Sequence, residues 1–367
     1  MTMTYIENFF TNFSFILLFF LMVYYWIKTA FFSKNSYFFI GFYGMVFSNI
    51  SISCLLLLRW LNSGHLPLSN LYESLIFLTW SITIIQILLE KTSGFDFLGV
   101  LLCPLALLIF GFATFSLPIE LQNRSPLVPA LQSNWLLMHV SIMILSYATL
   151  LCGCILSITY LFITEYKFKN INLFSIFNRK SISLKPESLE GTKSLARIDL
   201  QKTSFFEAQN ATDFRSKSTQ NQLVPPTLKS EDQNDQSLRL SALVFDKKKY
   251  DMFSSPDLKN SFQIKLDNVS YRMIGIGFAF LTIGILSGAV WANETWGSYW
   301  SWDPKETWAF ITWLIFAIYL HSRLNYAWQG KKPALVAIIG FIVVWICYLG
   351  VNLVGKGLHS YGWIQFS

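Results

Sequence analysis

The run from Trp135 to Thr164, WLLMHVSIMILSYATLLCGCILSITYLFIT, leaves one class of fold. It carries no Asp, Glu, Lys or Arg over 30 residues. About 20 mainly apolar residues suffice to cross the hydrocarbon core as a helix. A membrane β-barrel would instead show short segments of alternating polarity. The stretch is therefore a spanning helix, long enough to tilt or to project beyond the membrane.

Working outward, seven further stretches have the same character, giving eight expected spans near 13–32, 38–58, 71–89, 97–116, 135–164, 271–292, 305–328 and 333–354. The whole chain agrees: 53% of its 367 residues are hydrophobic and only 13% are charged, where soluble domains carry about 25% charged residues. The expected fold is an all-α integral membrane protein with about eight transmembrane helices. Between 165 and 270 the composition turns to Lys, Ser, Asn, Asp and Gln. The chain thus divides into helices 1–5 (1–164), a polar insert (165–270) and helices 6–8 (271–367). The insert reads either as a small extramembrane domain or as a disordered tether, and its polarity favours the tether.

Basic residues set the orientation. The short loops on the insert's side carry Lys28, Lys34, Lys91, Arg323, Lys331 and Lys332. The opposite side mixes Arg59, Arg124, Lys305 and Lys356 with Glu7, Glu73, Glu120, Glu294, Asp303 and Glu306. The insert's side is expected to face the cytoplasm, or the stroma of a plastid. The net charge of +7 is then a loop asymmetry of a membrane protein, with no nucleic-acid groove. The N-terminus shows neither a basic signal n-region nor an Arg/Ser-rich import stretch. This points to synthesis in the compartment that inserts the chain, a bacterium or an organelle with its own genome. The five cysteines lie in or beside apolar runs and read as inert buried thiols. No C-x-x-C-H occurs, so the chain is no c-type cytochrome itself.

The densest feature is WANETWGSYWSWDPKETWAFITW, residues 291–313, which holds Trp291, Trp296, Trp300, Trp302, Trp308 and Trp313, six of the thirteen tryptophans. An interfacial aromatic belt supplies Trp at helix ends, and six around one loop exceed that. Indole surfaces suit a flat hydrophobic ligand, with ring N–H groups for its polar edge. Asp303-Pro304-Lys305-Glu306 reads as N-cap, N1, N2 and N3 of a helix, so Asp303 shapes the loop and is not catalytic. There are four histidines. His139 opens the fifth span and His359 follows the eighth, both on the tryptophan loop's side, where they could supply two axial ligands to haem iron. Spacing leaves zinc open as well, given further ligands. His321 lies about 25 Å along a helix from Pro304, deep in the seventh span, where a polar group points to ligation or proton handling. His65, in the turn SGHLPLSNLYES, reads as an exposed loop histidine. A proton-coupled transporter or a docking factor without haem is the alternative reading.

WGSYWSWDPKETW, with Trp291-Ala292 before it, His321 in the helix after it, SGHLPLSNLYESLIFLTW and the terminal GLHSYGW, resembles the WWD haem-handling membrane proteins. Within them it is most similar to the CcsA family of System II cytochrome c biogenesis in plastids, cyanobacteria and other bacteria. The resemblance covers both hydrophobic blocks. It implies that Trp291, Trp296, Trp300, Trp302 and Asp303 of the 291–308 loop bind b-type haem in transit, non-covalently. His139 and His359 would ligate the iron on the outer face, and His321 would belong to an intramembrane haem site shared with a separate CcsB-type membrane protein. It further implies delivery to apocytochrome c carrying C-x-x-C-H, thioether formation after thiol-reducing proteins have acted, and a place in a holocytochrome c synthase complex. The expected location is the chloroplast thylakoid membrane, multi-pass, with the WWD loop in the lumen; a bacterial inner membrane is the alternative. A tether also makes a prediction: deleting most of 175–255 should leave cytochrome c maturation near normal at normal membrane levels. Lost maturation at normal levels would show the insert to be needed.

Overall fold

The computed structural model describes residues 2–31, 38–93, 97–123, 133–181, 256–325, 328 and 330–354. All regular structure among them is helical: α1 (Thr2–Phe31), α2 (Phe38–Ser63), α3 (Leu71–Ser93), α4 (Phe97–Gly111), α5 (Ile119–Gln122), α6 (Asn134–Ser181), α7 (Pro256–Trp296), α8 (Pro304–Leu324), α9 (Lys331–Trp345) and α10 (Val351–Val354). A wider π-turn, Phe112–Ser116, prolongs α4, and another, Ile346–Gly350, joins α9 to α10. Seven stretches are long and apolar enough to cross a membrane: Thr4–Phe31, Ile40–Ser63, Leu71–Ser93, Phe97–Ser116, Asn134–Glu165, Phe262–Trp296 and Lys331–Leu353. The eighth span is α8, 21 residues long and thus about membrane length; its tryptophans, threonines, histidine and arginine dilute its apolar character. The chain is an all-α integral membrane protein, as its composition requires.

Two compact units divide the chain, one of Met1–Thr164 with Ser261–Ser367, the other of Glu165–Asn260. Of the expected insert, 165–270, the described residues are 165–181 and 256–270, where α6 and α7 run into it; the rest lies outside them. Helical structure reaches further than apolarity does. α7 begins at Pro256 rather than near 271, because a helix that leaves the bilayer keeps its own backbone hydrogen bonds while Lys265, Asp267 and Asn268 meet polar surroundings. In the opposite sense α8 stops at Leu324, before the expected 328.

In lipid the hydrophobic effect does not draw helices together, so small residues and polar contacts carry the packing. The outer surfaces remain apolar, with Phe20, Leu108, Leu286 and Ile318 more than half exposed. α1 packs on α2 and α4, and α3 packs on the same two helices. Here buried polar groups sort the helix ends. At one end Asn62 donates to Glu7 at 2.5 Å, Arg59 pairs with the fully buried Glu73 at 3.5 Å and donates to the Gln122 carbonyl at 2.7 Å. Asn70 caps α3 by accepting from the Glu73 N–H at 2.8 Å. At the other end Tyr25 donates to Glu90 at 3.1 Å and Gln86 does so at 2.9 Å. The first grouping joins Arg59, Glu7 and Glu73, charges that the sequence reading puts on one side.

α6 and α7 pack closely. Ser146 donates to the Gly277 carbonyl at 2.7 Å and Ser270 to the Gly153 carbonyl at 2.8 Å, with the Ser157 and Ser270 hydroxyls 2.6 Å apart. Glycines make the approach possible. A Cβ on Gly153 would stand 2.7 Å from Ile274 Cγ1 and 3.1 Å from the Ile274 backbone nitrogen; one on Gly284 would stand 2.6 Å from Met143 Sδ. Each interhelical hydrogen bond is worth about 0.6 kcal/mol on average, so the seam depends on many weak contacts at short range. Gly153→Ala should lower stability to detergent or thermal unfolding by about 1–3 kcal/mol, the usual cost of overpacking. Gly275→Ala, whose Cβ would meet nothing within 4 Å, should be neutral or raise stability by up to about 1 kcal/mol. Equal effects of the two would contradict the close-approach account.

Candidate functional site

The tryptophan loop is fixed at both ends by local chemistry. α7 ends at Trp296 and the chain reverses through Gly297, at φ 73°, a conformation that glycine adopts without a side-chain clash. The Gly297 N–H bonds the Asn293 carbonyl at 2.9 Å. At the other end Asp303, 8% exposed, caps α8 with both halves of a capping box. Asp303 Oδ2 accepts from the Lys305 N–H at 3.3 Å, and Glu306 accepts from the Asp303 N–H at 3.3 Å and the Ser301 N–H at 2.8 Å. Between these anchors Trp302 takes a left-handed backbone conformation, φ 58°, costing about 1–2 kcal/mol for a residue with a Cβ. Trp302 is 68% exposed, and its indole meets Trp300 edge-on at 6.0 Å.

Beneath the loop lies a small, half-open cavity of about 60 Å³ walled by α6, α7, the loop and α8. From α6 it receives His139, Met143 and Tyr147; from α7, Gly288 and Trp291; from the loop, Tyr299 and Trp300; from α8, Lys305 and Glu306. His139 Nδ1 lies 2.7 Å from the Gly284 carbonyl oxygen. A carbonyl only accepts, so Nδ1 carries a proton; in the neutral ring Nε2 then bears the lone pair, the arrangement of a metal-ligating imidazole. A Cβ on Gly288 would stand 2.5 Å from Nδ1, so that glycine makes room for the ring.

The structure brings together three of the residues singled out by sequence, His139, Trp291 and Trp300. Trp296 backs Trp291 edge-on at 4.8 Å without lining the cavity. Asp303 shapes the loop from its cap, and Trp302 faces outward. Trp313 donates to Thr282 at 3.0 Å and packs on Phe278 within the bundle. His321 lies in the last turn of α8, exposed, at the opposite end from the loop. His65 is half-buried, its Nδ1 3.1 Å from the Leu66 carbonyl. His359 lies outside the described residues. Among the described residues no three His, Cys, Asp or Glu side chains converge as zinc would ask. Sequence reasoning passed over Tyr147, Tyr299 and Lys305. Only Lys305 left a trace: a lysine in the first turn opposes the helix dipole, and such a placement asks for a reason.

The fold and cavity define a multi-pass membrane protein with an aromatic chamber, one imidazole and one ammonium under a capped tryptophan loop. The cytochrome c assembly protein model matches residues 68–359. The chain is 49% identical over 360 residues to the cytochrome c biogenesis protein CcsA of Chlorella vulgaris, covering 98% of each. It is 48% identical to that of Marchantia polymorpha over 98% of each, and 46% to that of Microcystis aeruginosa over 99% of each. It therefore belongs to the CcsA family of cytochrome c biogenesis proteins. A solved structure titled cytochrome c heme lyase CcmF is similar in fold, with TM-score 0.52 and 12% identity, over 95% of this chain and 47% of that one.

The strained, exposed Trp302 yields a test. Trp302→Gly should relieve the backbone cost without lowering membrane levels, yet reduce cytochrome c maturation about 2- to 10-fold, the worth of one aromatic contact. Maturation at the wild-type rate would leave the strain without a functional account.

Proposed function

We propose that this chain binds haem in the chamber under the tryptophan loop, with His139 Nε2 on the iron, and presents it to apocytochrome c. The observation that carries this reading is His139 itself, an imidazole whose tautomer is set by the Gly284 carbonyl and whose ring borders an aromatic cavity. Trp291 and Trp300 offer flat surfaces to the ring faces, Trp296 supports Trp291, and Asp303 holds the loop's shape. Trp302 faces the side from which a client would approach. His359 supplies the second axial ligand by family resemblance. The donor set fits haem: imidazole for the metal, indoles for the macrocycle, ammonium for an acidic edge.

Haem is the cargo, and the reactive groups belong to it and to the client. Two cysteine S–H groups of C-x-x-C-H add across two vinyl groups, forming two thioethers without net oxidation, so both thiols must arrive reduced by thiol-reducing proteins. The client histidine displaces one axial ligand. This chain contributes binding and orientation, as one part of a holocytochrome c synthase complex. His321, exposed in the last turn of α8, would complete an intramembrane haem site with a CcsB-type partner. The proposed organisation is 1–164, an insert at 165–270 and 271–367 bearing the loop. The proposed location is the thylakoid membrane with the loop in the lumen, or the inner membrane of a bacterium. The likeness to relatives from a green alga, a liverwort and a cyanobacterium supports both.

The test is the visible spectrum of the protein purified with its partner. Wild type should show sharp bands of reduced, histidine-ligated haem; His139→Ala should lose or shift them, and added imidazole should restore part of the signal. An unchanged spectrum in the folded variant would overturn the assignment.

A further inference from the structure

We infer that Lys305 fixes which way round the porphyrin sits, by pairing its ammonium with a ring carboxylate. This rests on the haem reading above and names a positioning residue within the same chamber.

Lys305 is the cation that lines the cavity with His139, Tyr299 and Trp300. Its Nζ donates to Asn352 Oδ1 at 2.8 Å, and among the described residues no carboxylate lies within ion-pair distance of it. The two acids beside it are engaged in the helix cap. Glu306 accepts from Ser301 and from the Asp303 N–H, and Asp303 Oδ2 accepts from the Lys305 backbone. Asn352 is 2% exposed and donates its own amide to the Tyr348 carbonyl at 2.6 Å. That bond turns Oδ1 towards Lys305 and holds the ammonium in place, in the segment just after the Ile346–Gly350 π-turn.

An ammonium has three donors, and Asn352 uses one. A charge withdrawn from water with two donors left is costly unless an anion completes it. Haem carries two carboxylates on one side of the ring and its two vinyl groups on the other. Drawing the acid side to Lys305 turns the vinyl side away, towards an approaching client. Lys305 would then set the face and edge at which the thioethers form.

The experiment titrates haem and haem dimethyl ester, whose acids are capped, into the protein–partner complex, reading the histidine-ligated absorption bands. Wild type should bind haem about 10- to 100-fold more tightly than the ester, as a hydrogen-bonded charge pair predicts. Lys305→Met should abolish that preference by weakening haem alone, and Lys305→Arg should keep much of it. The inference is overturned if wild type shows no preference, or if Lys305→Met keeps it. Should wild type bind neither porphyrin through histidine, the haem reading itself falls and this inference with it, a result distinct from the other two.

Discussion

The close seam between α6 and α7 is the contact on which the rest depends. Glycines at 153, 277, 284 and 288 let two long helices meet where any Cβ would collide, and serines and a histidine bond the carbonyls laid bare by that approach. The same seam that joins the two helices also orients His139. One carbonyl, that of Gly284, thus links bundle packing to the orientation of the imidazole. In lipid, where burial of apolar surface gives no preference for one helix neighbour over another, such short-range contacts decide which faces meet.

Above the seam the chain spends strain and polar bonds on shape. A glycine reversal, a full capping box and a left-handed tryptophan hold the 297–303 loop over the cavity. α8 starts under that loop with a lysine where the dipole disfavours one, and the π-turn before α10 brings Asn352 to meet it. π-turns gather at functional sites, and this one places a polar acceptor at the cavity wall. The chamber thus joins soft aromatic walls to one imidazole and one lysine, a combination that the proposed flat, acidic, metal-bearing molecule would satisfy at once.

Much of this was legible in the sequence, for physical reasons that differ from residue to residue. The spans follow from uninterrupted apolar runs, and the Asp303 cap from spacing within four residues. The tryptophan cluster is local too. His139 stood out because few histidines occur and this one opens an apolar helix. What could not be read are contacts between distant positions. His139 meets Gly284 across 145 residues, and Lys305 meets Asn352 across 47. Glycines in a membrane helix signal close approach but not its partner. Hydropathy also marked the apolar part of α7 and not its polar start at Pro256, since it reports solvent preference and not backbone hydrogen bonding.

The most direct measurement is a cryo-electron microscopy map of the haem-loaded protein with its membrane partner in a lipid nanodisc. The account predicts planar density in the chamber between α6, α7 and α8, its metal centre bonded to His139 Nε2 and one carboxylate beside Lys305. Planar density elsewhere, or a metal ligated without His139, would contradict it.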